Sequence, residues 1–348
     1  MISVPVAALT VYLERAYRAA GMPRSAAQTM AQTLVEAETR GLPGHGIRLV
    51  PTYLRKLHAG RLNPRPKITC RAEGPGVLAL DGDLAAGPVA ARHAVGAATI
   101  RARKTGLGLV TVCRTGHAGA LGVFVTWAAR HGMVAMLATQ TSAASVALLG
   151  GTGRGVLGNS ALAVAVPGPN PEEPVCVDLA AGAMSWGRVH QRRTVGQTLA
   201  SGTALDATGH PTVDPAQAAV LLPVGERAQA LAIVLELLVG ALTASSPLPS
   251  DGQGRGLLCL VIDPKALGVA HLAESVSQVA RQIRGDGARM PGDRSWLARA
   301  AAASAGVRLE EDDLRALIEA VGPHVPTPAW ARSPQPASAV TAGEDNRP

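Results

Sequence analysis

Aromatic side chains are almost missing: the 348 residues include four Trp, three Tyr and one Phe. The core must therefore come from Ala, Val and Leu, whose short side chains let helices and strands approach closely, as in a layered α/β protein. Cysteine is scarce as well. Cys70, Cys113, Cys176 and Cys259 lie far apart, form no Cys-x-x-Cys pair and have no histidine at zinc-ligand spacing. That pattern argues against a metal site or a disulfide framework and for reduced thiols. No apolar run reaches the ~18–20 residues of a membrane span. The start Met1-Ile2-Ser3-Val4-Pro5 lacks the basic-then-apolar order of a secretory signal, so the expected compartment is the cytoplasm. A basic stripe is absent too: 33 Lys and Arg against 25 Asp and Glu give +8, but the cations are scattered. Nucleic acid is therefore not the expected partner. A generally positive field favours an anionic substrate or a phosphorylated cofactor.

What is present centres on Ala37-Glu38-Thr39-Arg40-Gly41-Leu42-Pro43-Gly44-His45-Gly46-Ile47-Arg48. Glycines flank His45, so backbone or ligand can come close to a ring whose ordinary pKa suits proton transfer. By spacing alone His45 reads first as a surface loop histidine, with proton transfer as the alternative. Around it the chain has the length for one large or two ordinary domains. Two helices are expected over 5–38 and a short one through Leu57. Strands are expected at 67–70 and 77–80, with Asp81-Gly82-Asp83 as a hairpin turn. An alanine-rich helix over 88–105, the buried strand Leu109 to Cys113, a helix at 121–131 and the strand Met133 to Thr139 then alternate as in an α/β layered fold.

The glycine-rich stretch 150–160 matches neither phosphate-loop nor dinucleotide fingerprint, because a strand follows it; it reads as a turn or as a ligand loop. The strand Val175 to Ala180 carries Asp178, which either orients a base or cofactor group or caps the next helix. Leu231 to Leu242 is the most hydrophobic helix and is expected in the core. Leu257 to Ile262 is a further buried strand, Gly285 to Asp293 a loop, and two helices follow. The layout divides into an N-terminal helical segment (1–60), an α/β core (61–270), C-terminal helices (271–322) and a disordered tail (323–348).

Nine motifs in order resemble the malate/L-lactate dehydrogenase family of NAD(P)-dependent oxidoreductases, which is unrelated to the Rossmann-fold lactate dehydrogenases. They are Arg40-Gly41-x-x-Gly44-His45-Gly46, Asp81-Gly82-Asp83, Gly116-His117-x-Gly119, Leu157-Gly158-Asn159, Val177-Asp178-Leu179-Ala180, Ala204-Leu205-Asp206-x-x-Gly209, Leu221-Leu222-Pro223, Glu236-Leu237-Leu238-x-Gly240-Ala241-Leu242 and Pro291-Gly292-Asp293. The resemblance implies a three-layer α/β/α fold with a mixed seven-stranded sheet and a homodimer with active sites near the interface. It implies NADH or NADPH as cofactor and His45 as proton donor. Cofactor contacts map to Pro174, Val175, Cys176, Val177, Asp178, Leu179 and Ala180, to Glu226 and Arg227, and to Pro291, Gly292 and Asp293.

Several positions depart from the family. Its serine before the histidine is Gly44, its Gly-Thr-Asn-Pro is Gly158-Asn159-Ser160-Ala161, and its Ala-Thr-Ser after the aspartate is Ala180-Ala181-Gly182. The implied activity is reduction of a 2-keto acid or cyclic imino acid. Asp178 would orient His45, Arg48 or Arg114 would hold the substrate carboxylate, and His117 and Thr141 would line the pocket. The lost polar groups leave two alternatives: non-redox acid/base chemistry on the same scaffold, or an inactive dimeric partner protein.

Overall fold

The structure, a computed structural model, describes residues 1–141, 143–246, 248 and 255–331. Its helices are α1 (Val6–Ala19), α2 (Arg24–Thr39), α3 (Val50–His58), α4 (Gly87–Thr105), α5 (Gly122–Arg130), α6 (Trp186–Thr194), α7 (Gly225–Glu236), α8 (Leu272–Gly285), α9 (Asp293–Ala305) and α10 (Glu311–Val321). The central sheet has β1 (Thr69–Glu73), β2 (Val77–Ala85), β3 (Leu107–Thr115), β4 (Val134–Thr139), β5 (Ala161–Val166), β6 (Val175–Ala180) and β7 (Arg255–Ile262). The spatial order of these seven strands is β1-β2-β3-β7-β4-β5-β6. The β2–β3 pair is parallel and the other five pairs are antiparallel. The parallel pair is joined by α4, because parallel neighbours need a crossover.

The core is built as the composition requires. α4 turns Ala91, Ala94, Ala98 and Ala102 onto the sheet. The approach is so close that a Cβ at Gly108 of β3 would collide with the Ala98 carbonyl. Alternation along the strands sorts the two faces of the sheet. Leu137 and Ala163 pack with α4 and α5, whereas Ala138 and Leu162 pack with Leu235 and Val239. This is the expected three-layer α/β/α arrangement with a mixed seven-stranded sheet.

The N-terminal residues meet the segment between α9 and α10. Ile2–Val4 pairs with Val307–Leu309. Leu9, Leu13, Leu34 and Tyr53 share a cluster with Leu309 and Leu317, so the N-terminal segment and α10 form one body. Beyond Pro323 the chain still packs: Val325 is buried and Trp330 meets the Tyr12 ring edge-on at 5.6 Å. The rest of the expected tail, 332–348, lies outside the described residues.

Three expectations change. Asp81-Gly82-Asp83 is no hairpin turn but lies inside β2, where Asp83 and Leu84 adopt φ of +50° and +55° and the register with β3 shifts between Asp81 and Ala85. The same residue types that favour a turn also serve a bulge. The glycine-rich stretch forms a backbone crossing, with a Cβ at Gly153 reaching Gly209 Cα at 3.1 Å, and the short strand Gly155–Leu157 pairs with Val146–Ala147. The hydrophobic helix is only half core. Ala232, Leu235 and Val239 are buried, while Ile233, Val234, Leu237, Leu238 and Leu242 face outward, 40–56% exposed. Periodicity identified the helix, but apolar residues all round cannot reveal what covers the second face.

Candidate active site

The His45 turn is fixed from below. α2 ends at Gly41 with φ +71°, and Leu42 N–H returns to Ala37 O at 3.0 Å. His45 N–H donates to Leu42 O at 2.8 Å and Gly46 N–H to Pro43 O at 3.2 Å, closing the short turn Pro43–His45. Glu38 Oε2 then accepts Ile47 N–H at 2.8 Å. Gly46 is required at this point, because a Cβ there would collide with that carboxylate oxygen. Burial raises the Glu38 pKa to about 7, with Asp313 adding to the rise while the Ile47 N–H and Arg48 oppose it. On its other side the turn touches the start of α6: a Cβ on Gly187 would stand 3.1 Å from Gly44 Cα. The half-buried His45 ring makes no side-chain hydrogen bond among the described residues. Burial lowers its pKa below the ordinary 6.5.

A second histidine faces it. The rings of His45 and His117 stack with centroids 6.2 Å apart and planes 16° from parallel. Gly119 N–H donates to His117 Nδ1 at 3.2 Å, so in the neutral ring the proton sits on Nε2. Tyr53 Oη lies 3.1 Å from the same Nδ1 and donates to His117 O at 2.8 Å. Gly87 is needed beside this loop, since a Cβ there would collide with the His117 carbonyl. Burial, then the charges of Arg255, His45 and Lys56, hold the His117 pKa well below the histidine range.

The other expected residues divide. Asp178 makes no hydrogen bond to His45 among the described residues. Its Oδ2 accepts Gly122 N–H at 2.8 Å, so it caps α5 rather than the next helix, where Ser185 Oγ accepts Arg188 N–H at 3.3 Å. The residue as a whole is exposed, and desolvation of its carboxyl raises the Asp178 pKa to about 6 against the pull of the Gly122 N–H and Arg40. Arg48 is engaged elsewhere: its Nε lies 2.8 and 2.9 Å from the two carboxylate oxygens of Asp313. Arg114 pairs with Asp81 Oδ2 at 3.0 Å on the β2 side. Thr141 stands at Gly158, where a Cβ would come within 2.5 Å of its Oγ1. The cations whose charge reaches His117 are Lys56 and Arg255, neither of which the sequence reading selected. One local signal was available: Lys56 follows Tyr53 by three residues on α3, hence on a neighbouring face.

The three expected cofactor segments come together along β6, the outer strand of the sheet. At its start Cys176 N–H donates to Pro291 O at 3.2 Å, and Trp296 Nε1 donates to Pro174 O at 3.0 Å. Gly292 adopts φ +101° there, and Asp293 accepts from Arg284 at 2.7 Å and Met290 N–H at 3.0 Å. Burial, with Asp178 adding to it, raises the Cys176 thiol pKa to about 12, so it stays protonated. Just past the far end of β6, Gly182 bridges Pro223 and Ala183 N–H donates to Leu222 O at 2.8 Å. That contact leads into Gly225 with φ +73° and the exposed Glu226 and Arg227. Among the described residues no group of side chains is arranged to hold a metal ion.

A sequence profile of the malate/L-lactate dehydrogenase family matches residues 4–318. The chain belongs to this family. A ureidoglycolate dehydrogenase (NAD(+)) from Escherichia coli is 31% identical over 275 residues, covering 76% of this chain and 78% of that protein. A (2R)-3-sulfolactate dehydrogenase (NADP(+)) from Chromohalobacter salexigens is 31% identical over 291 residues, 80% of this chain and 86% of that protein. The solved delta1-piperideine-2-carboxylate reductase from Pseudomonas syringae pvar. tomato superposes with a TM-score of 0.82 at 27% identity, over 92% of this chain and all of that one. This member of the malate/L-lactate dehydrogenase family is an NAD(P)-dependent oxidoreductase. No described helix is long and apolar enough to cross a membrane.

Proposed function

We propose that this enzyme reversibly reduces the C=O of a 2-keto acid or the C=N of a cyclic imino acid, with His45 moving the proton. The observation that carries the reading is the His45 ring: half-buried, without a hydrogen bond among the described residues, and stacked on His117. An imidazole that the fold leaves unpartnered is available to a substrate atom. The relatives act on small acids by name, ureidoglycolate and sulfolactate among them, which suits the cationic surroundings of His117.

The residues along β6 fit a nicotinamide dinucleotide. Six residues of extended strand run roughly 20 Å, the outer edge of β6 has no neighbouring strand among the described residues, and the turn at Gly292 and the Leu222-Pro223 segment before Gly225 bring backbone to its two ends. Pro174 to Ala180, Pro291 to Asp293, and Glu226 with Arg227 would hold it, Arg227 facing a phosphate. Bound NADH or NADPH supplies a hydride for the carbon next to the substrate carboxylate. Asp178 acts on this site through α5, whose first N–H it caps, and not through His45.

Both histidines rest neutral at pH 7, because burial disfavours their charged forms. His45 is thus ready to accept a proton in the oxidative direction and must first gain one in the reductive direction. The reductive kcat/KM, which reports the free enzyme, is expected to fall as pH rises through a value below 6.5. The oxidative kcat/KM is expected to fall as pH drops through the same value. Initial rates over pH 5–9 check this, and a reductive limb above pH 7.5 would take the proton away from His45.

The same reading expects a homodimer formed on the exposed apolar surface that runs from Ile233 and Val234 at the end of α7 through Leu237, Leu238 and Leu242. The cofactor test is thermal unfolding with and without NADH or NADPH. At about 100 times its dissociation constant, a ligand adds roughly 2.7 kcal/mol and raises the midpoint by a few degrees. A rise with one cofactor supports the reductase and chooses between the two. No rise with either at millimolar concentration leaves the non-redox reading of the scaffold.

A further inference from the structure

Glu38 stands in the last turn of α2, and its side chain reaches forward into the turn that carries His45. Oε2 accepts Ile47 N–H at 2.8 Å, so a carboxyl from α2 holds the backbone just after the histidine. Room for that oxygen exists because residue 46 is glycine, where a Cβ would collide with it. Oε1 makes no hydrogen bond, and Glu38 no ion pair, among the described residues.

The charged groups around Glu38 leave it without a cation of its own. Arg48, just past the turn, and Asp313, on α10, face it, but they pair with each other at 2.8 Å. On α2 itself Arg40 pairs with Glu36 at 2.7 Å. Arg130 of α5 and Arg299 of α9 also turn to Glu36, at 3.7 and 3.3 Å. Glu14 of α1 lies 3.7 Å from Arg24. The C-terminal end of a helix carries partial negative charge, which disfavours a carboxylate further. Burial in these surroundings is why Glu38 titrates at about pH 7. An ionised acceptor makes the shorter and stronger hydrogen bond to an N–H.

We infer that Glu38 is a positioning residue for His45: its ionised carboxylate clamps the turn through Ile47 N–H, and its neutral form lets the turn slacken. The effect on turnover rests on the reductase reading. The charge state of His45 serves the two directions of the reaction in opposite senses, whereas a clamp serves both alike. The clamp also weakens the fold as it forms. A carboxyl whose pKa folding raises from 4.5 to about 7 contributes stability that is full below pH 4.5 and is lost as pH rises through about 7. Turnover and stability therefore move oppositely across that window.

Glu38→Gln keeps an oxygen for Ile47 N–H but stays neutral at every pH. The test measures kcat/KM from pH 5.5 to 8.5, with pyruvate and reduced cofactor one way and L-lactate and oxidised cofactor the other. The ratio of wild type to Glu38→Gln is expected to rise with pH roughly fivefold in both directions, the margin of a charge-assisted over a neutral hydrogen bond. Taking the ratio cancels the His45 limb, which the two proteins share. Gly46→Ala, whose methyl displaces the carboxyl from the turn, is expected to lose the same pH dependence with Glu38 still present. A ratio constant with pH, or one that changes in opposite senses in the two directions, overturns the clamp. A wild type with neither turnover nor a cofactor-induced rise in midpoint fails the reductase reading alone, and thermal unfolding then decides the clamp. Between pH 5 and 8 the wild-type midpoint is expected to fall relative to those of Glu38→Gln and Gly46→Ala, and parallel courses overturn it.

Discussion

His45→Ala is expected to lower kcat in both directions by about 10²–10⁴-fold, the usual worth of a positioned acid/base, while leaving the unfolding midpoint near that of the wild type. The two expectations come from one fact. The ring makes no side-chain hydrogen bond among the described residues, so removing it orphans no buried polar group. The turn that carries it is closed by backbone bonds from His45 N–H and Gly46 N–H and by the Glu38 carboxylate, and all of these survive the substitution. His117→Ala is the contrasting case. It strips the acceptor of Gly119 N–H and a neighbour of Tyr53 Oη, so it is expected to cost stability as well as activity. Steady-state rates and thermal unfolding of the two variants separate the roles. A kcat for His45→Ala within tenfold of the wild type would remove His45 from proton transfer.

The double substitution Val234→Glu, Leu238→Glu is expected to turn a dimer into a monomer. Val234, Leu238 and Leu242 are spaced by four residues and are 48%, 40% and 56% exposed, with Ile233 and Leu237 beside them. An exposed apolar stripe this long marks a surface that another molecule covers. A second copy is the occupant the reading commits to, since a two-fold interface uses the same stripe twice. Burying such a side chain is worth roughly 1.5–3 kcal/mol, and two glutamates placed against their own copies add like-charge repulsion. The mass of the wild type and variant in solution, by sedimentation or light scattering, decides the matter. A wild type that runs as a monomer at micromolar concentration would assign the stripe another partner. The substituted positions point away from the core, so the variant monomer should stay folded.

Local features of the site were legible from residue order because short-range sterics dictate them. Gly41 ends α2, Pro43 and Gly46 shape the turn, and His45 is held between them. The alanine stripe of α4 and the strands of the sheet follow from periodicity and composition. Asp178 shows where that reasoning stops. A carboxylate at the end of a strand has two ordinary uses nearby, and the structure gives it a third, the first N–H of α5, 56 residues away. Arg48 shows the same thing. Its neighbours in sequence recommend it for a substrate carboxylate, yet its guanidinium goes to Asp313, 265 residues on.

The sequence by itself determined the elements, the histidine-bearing turn and the alanine-built layers, since each depends on residues within a few positions of one another. Only the tertiary structure decided which charges face His117, which arginines are already neutralised, and which side of the 231–242 segment stays exposed among the described residues. Burial and ion pairing depend on what the fold brings alongside, and the spacing of residues along the chain carries no record of that.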